Sequence, residues 1–195
     1  MSATGQPNST FSWIGAGTEF RIENDTSNST SVLLSGHGSP ASVVNGALTS
    51  LNYFMARANP PFYLPGVRLV QELNNQLLTI QYIGTTTSHG IAAVQVHVSD
   101  DSDTQGSQVT PHEWLFDAST FVPLEVQLRL PANEDPTFYI SASLDFWQFQ
   151  NINGLLVPSQ FSLSEGDLGT PSFTSTSVVF NSGVPQSVFD PQGGQ

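Results

Sequence analysis

The chain has 195 residues, no cysteine and no lysine; its 16 acidic side chains face only four arginines, for a formal charge of −12 and a pI of about 4.2. That balance excludes disulfides and thiolate metal sites. It also excludes binding to nucleic acid or to an anionic membrane surface, both of which require cationic neutralisation of phosphates. Charged residues make up 10% of the chain, so solubility rests on Ser, Thr, Asn and Gln, a style commoner in exported proteins.

No stretch approaches the 18 apolar residues of a membrane span. Residues 1–10 read as a disordered leader, and 192–195 as a tail. A polar start of this kind fits a periplasmic or secreted chain whose signal peptide has been removed. Residues 11–191 are expected to form a single domain.

Beyond the leader, alternation with a period of two dominates the chain. Thr18, Phe20 and Ile22 point one way, and Glu19, Arg21 and Glu23 the other. Asn24 to Thr30 reads as a turn, after which Val32 and Leu34 resume the pattern. Val44, Ala47, Leu48, Leu51, Met55 and Ala58 instead recur at helical spacing, which predicts a helix over 41–58. Ser39 would cap it, Pro40 would start it, and Asn59-Pro60-Pro61 would end it. A second short helix is expected near 67–76.

Strands return with Leu78, Ile80 and Tyr82, then Val94, Val96 and Val98. Trp114 and Phe116 share a face. Leu124, Val126, Leu128 and Leu130 alternate with Glu125, Gln127 and Arg129. Phe138, Ile140, Ala142, Leu144 and Phe146 form the longest stripe, succeeded by Phe161 with Leu163 and by Phe173. Short turns such as Asn151-Ile-Asn-Gly154 join them, which argues for an antiparallel meander.

No reaction centre emerges. His37, His89, His97 and His112 lie on different elements without helical zinc spacing; His37 and His89, each succeeded by Gly, read as turn residues. His112 and Glu113 are neighbours on a strand and so point to opposite faces. There is no Gly-x-Ser-x-Gly elbow. Asp100-Asp-Ser-Asp103 has the look of a calcium loop but lacks its later Gly and Glu, and reads as a solvated turn. Glu125 and Asp145 fall on polar strand positions and could be neighbours, without sequence support for a shared cleft. No catalytic residue, metal or cofactor is expected. Tyr53, Phe54, Phe62 and Tyr63 are candidates for a pocket mouth, and Trp147 for an exposed contact.

The run His112-Glu-Trp-Leu-Phe-Asp117, then Phe121-Val-Pro-Leu-Glu-Val126, reads as a hairpin. After it come a long strand to Phe149, Asn153-Gly154, Val157-Pro-Ser-Gln-Phe161, and the closing Val178–Asn181 and Val184–Pro191. This order resembles the LolA/LolB outer-membrane lipoprotein carrier superfamily of bacteria. The resemblance implies a mainly β fold: one strongly curved antiparallel sheet, an incomplete barrel, with a helix on its concave face. It implies an apolar ligand or lipoprotein acyl chain held between helix and sheet, with candidate lining residues Leu48, Leu51, Met55, Leu128, Phe138, Ile140, Leu144, Phe161 and Leu163. The alternative is a carbohydrate-binding or adhesive β-sandwich without catalysis.

Overall fold

A computed structural model describes residues 10–16, 19–26, 28–35, 40–51, 63–100, 111–131, 139–166, 172–174, 177–180 and 183–190. Among the described residues the chain is mainly β with one α-helix, and it divides into two compact units, 1–56 with 180–195 and 57–179. Each unit carries its own antiparallel sheet, so the expectation of one continuous sheet is corrected to two.

The first unit is a five-stranded meander: β1 (Thr10–Ala16), β2 (Glu19–Asp25), β3 (Thr30–Ser35), β4 (Ala41–Val44) and β5 (Ala47–Ser50). Phe20 and Ile22 are buried on one face, as their alternation predicts. The other face buries Val32, Leu34 and Ala41 together, with Val43 packed against them. Arg21 shares this second face, because it pairs in register with Leu34. Its guanidinium is held by Glu23 at 2.6 Å and donates to the Val188 carbonyl at 3.2 Å, in the 3-10 turn Gln186–Phe189. A buried cation is tolerated only with such partners.

The predicted helix over 41–58 is not formed where the chain is described: residues 41–50 are the β4–β5 hairpin. Asn45 and Gly46 take φ of 48° and 83°, the left-handed pair of a tight hairpin turn. The Asn45 side chain also accepts the Thr30 backbone N–H at 3.2 Å. A short apolar run fits both periods, and the Asn-Gly dipeptide with β-branched neighbours decides for strands.

The second unit begins with α1 (Pro65–Leu73), where Pro65 sits at the N-terminal start of the helix with its φ already set for it. The short helix expected near 67–76 is therefore present, slightly earlier. Seven strands come next: β6 (Leu78–Ser88), β7 (Ile91–Asp100), β8 (His112–Asp117), β9 (Pro123–Pro131), β10 (Tyr139–Ile152), β11 (Leu155–Glu165) and β12 (Ser172–Thr174). They pair strictly with their chain neighbours, from β6 at one edge to β12 at the other. Turns at His89-Gly90 and Asn153-Gly154 repeat the left-handed pair. The pairing register shifts at Tyr82/Gly84 and at Leu115/Phe116, as at β-bulges.

Candidate functional site

Cross-strand register assembles one apolar face on the second sheet. Val96 pairs with Trp114, Trp114 with Val126, Val126 with Leu144 and Leu144 with Leu163. In the next rows Leu128 pairs with Ala142, and Phe146 with Phe161. Side chains in register share a face, so Leu128, Ile140, Leu144, Phe161 and Leu163, five of the nine candidate lining residues, lie on one surface. Trp114 stacks on Phe116 and Phe146 with ring centroids 6.2 and 6.1 Å apart.

The remaining four candidates fare differently. Leu48 is on β5 of the other sheet and 54% exposed, so it is a strand residue and not a helix residue; Leu51 comes just after that strand. Met55 and Phe138 lie outside the described residues, as do His37, Tyr53, Phe54, Phe62 and the loop after Asp100.

α1 packs on the apolar face at β11. A Cβ on Gly66 would stand 3.0 Å from the Leu156 carbonyl oxygen, so the absence of a side chain sets the close approach. The helix is reversed in polarity. Its buried positions are Pro65, Arg68 and Glu72, while Val70 and Leu73 are exposed. The inward charges survive because they form a closed network. Glu72 Oε1 accepts from Arg68 Nε and lies 2.9 Å from His112 Nε2, and Oε2 accepts from Trp114 Nε1 at 2.8 Å. Tyr63 completes it, with its ring edge-on to His112 at 5.0 Å and under the Arg68 guanidinium at 5.0 Å. Burial pushes the Glu72 carboxyl up, but the His112 hydrogen bond, the charges of His112 and Arg68 and the Trp114 N–H together hold it below its usual 4.5. Glu165, in register with Ala142, is raised by burial.

Sequence patterning does not reveal this network. The only signal is that Arg68 and Glu72 stand four apart in a predicted helix, and that Arg68 is one of four cations in the chain. His112 and Glu113 do point to opposite faces, as expected: Glu113 pairs with His97 Nδ1 at 2.6 Å on the far side.

The apolar face is open toward the β6 edge. Ile80 pairs with Val98, and Tyr82 with Val96, which places both on the helix-bearing face, yet they are 45% and 62% exposed. Trp147 lies on the opposite face, with its indole N–H donated to Gln160 Oε1 at 2.7 Å.

On that opposite face Glu125 and Asp145 are direct cross-strand partners, and His89 reaches Asp145. These three residues, of which the sequence suggests only Glu125 and Asp145 as neighbours, bring ligating atoms within 4.8 Å of one another.

The fold is similar to those of solved structures that include a lipoprotein-sorting domain, in line with the resemblance carried by the hairpin order. A domain described as an outer membrane lipoprotein-sorting protein, from Vibrio parahaemolyticus, matches at a TM-score of 0.55 and 9% identity, over 93% of this chain and 80% of that one. A DUF1329 family protein from Desulfovibrio piger matches at a TM-score of 0.52 and 12% identity, over 96% and 82%. A LolA superfamily protein from Nitrosomonas europaea matches at a TM-score of 0.44 and 8% identity, over 93% and 81%. No family model matches the sequence, and no curated protein does. At these identities the likeness concerns the fold alone.

Proposed function

We propose that the chain is an extracytoplasmic, non-catalytic binding or carrier module for an acyl chain or a similar apolar ligand, with residues 11–191 acting as one functional domain. One observation carries this reading. Apolar side chains of α1 and of the open end of the sheet face, namely Val70, Leu73, Ile80 and Tyr82, stay exposed while the charges of α1 are turned inward. Exposed apolar surface of this kind marks an interaction site rather than a neutral exterior. The lipoprotein-sorting description of the Vibrio parahaemolyticus domain supports the same ligand class. Burying a methylene is worth ~0.8 kcal/mol, so about ten of them reach micromolar affinity without polar specificity.

Titration with a fluorescent polyene fatty acid, displaced by palmitate, tests this. The expected result is saturable binding that Leu73→Asp and Tyr82→Asp each weaken at least tenfold and that Trp147→Ala leaves unchanged. A linear, unsaturable signal, or full binding by both aspartate variants, defeats the proposal.

A further inference from the structure

The β6–β7 hairpin places its tip against strands far from its own position in the sheet. β9 lies three strands from β6, and β10 four. Nevertheless Ser88 Oγ donates to Glu125 Oε2 at 2.8 Å, and His89 Nε2 meets Asp145 Oδ1 at 2.7 Å. The tip therefore lies over the face opposite α1. Beneath it the two carboxylates stand side by side, each residue only 9% exposed.

This arrangement is short of positive charge. Glu125 accepts from Ser88 and from Gln127 Nε2 at 2.8 Å; Asp145 meets His89 and accepts from Ser162 Oγ at 3.3 Å. Among the described residues no arginine pairs with either, and the chain has no lysine. Two adjacent carboxylates that are nearly buried repel one another and lose hydration, which a single imidazole offsets only when protonated. The His89 side chain is 65% exposed and open to exchange with water.

We propose that His89, Glu125 and Asp145 form a binding site for a divalent transition cation of the zinc class. The donor set is one imidazole nitrogen and two carboxylate oxygens, from a hairpin tip and two neighbouring strands. Imidazole with carboxylate favours zinc and its neighbours over calcium or magnesium, which take oxygen ligands. The three atoms lie within 4.8 Å of one another, and rotamer adjustment brings them to the roughly 3.3 Å separation that bonds of about 2.0 Å give in a tetrahedral site. Ser88, Gln127 and Ser162 already orient the carboxylates, as outer partners of metal ligands do. The exposed side of His89 leaves room for water as a fourth ligand and a path for the ion. Bound metal would pin the hairpin tip to β9 and β10. Because imidazole and carboxylates bind metal only when deprotonated, protons compete, and affinity falls in acid.

The test is calorimetric titration of the chelator-stripped, full-length protein with zinc chloride, with hydrogen exchange of residues 86–93 as the second readout. The expected result is one saturable site, with exchange at the tip slowed by zinc. His89→Asn removes the imidazole, yet asparagine tolerates the left-handed turn at φ 49°, so the hairpin persists. His89→Asn, Glu125→Gln and Asp145→Asn should each weaken binding at least tenfold, while His97→Asn leaves it unchanged. Absence of saturable binding, undiminished binding by His89→Asn, or displacement of zinc by equimolar calcium would each overturn the proposal.

Discussion

The two faces of the seven-stranded sheet both bury charge, and they do so on different terms. Under α1, Arg68 and Glu72 neutralise each other, and His112 and Trp114 fill the remaining acceptor positions of the carboxylate. Under the β6–β7 tip, two carboxylates share one exposed histidine. The first set is complete and serves as a structural joint between helix and sheet. The second is negatively unbalanced and has a solvent-accessible side. What separates a joint from a site is thus charge balance and access, since the burial of the carboxylates is similar.

Removing one member of the complete set should have the largest effect. Glu72→Ala removes the buried carboxylate that Arg68, His112 and Trp114 share and should cost the second unit about 3–5 kcal/mol, read by urea unfolding. A loss below about 1 kcal/mol would erase the contrast between the faces. The joint should also be sensitive to acid. The Glu72 carboxyl is lowered in the folded state, so its contribution is present above its ordinary 4.5 and is lost as pH falls through the depressed value. Thermal stability should therefore drop below about pH 4.5 in the parent protein, and less steeply in Glu72→Gln. The tip should behave in the opposite sense. Asp145 raises His89 above 6.5, chiefly through their hydrogen bond, so the favourable pairing is complete below 6.5 and is lost as pH rises through the raised value. In the metal-free protein, the His89 ring should titrate above 6.5 by NMR and move back toward it in Asp145→Asn. Because the group is largely exposed, the accompanying change in stability should stay under about 1 kcal/mol.

The strands of the second unit are legible in the sequence because their alternation is long and clean. Ile140 to Phe146, in a 14-residue strand, leaves one assignment open, and the register then comes from short turns. The 41–50 segment is ambiguous because apolar residues at mixed spacing satisfy the helical period, and Gly46 can stand either as a weak point of a helix or as half of an Asn-Gly turn. Glu125 and Asp145 are recognisable as possible neighbours, but the sequence does not join His89 to them. It is 36 residues from Glu125 and 56 from Asp145, and nothing local shows that its hairpin folds over the sheet.

Composition, alternation and turn chemistry by themselves determined that this is a strongly acidic, mainly antiparallel β protein with an apolar stripe on its C-terminal strands. These are local properties, and each is read over a few residues. Only the tertiary structure decided that α1 presents Arg68 and Glu72 to the sheet and Val70 and Leu73 outward, and that a hairpin tip caps two carboxylates. Both depend on which distant groups meet, and a buried charge takes its character from those partners, which periodicity does not record.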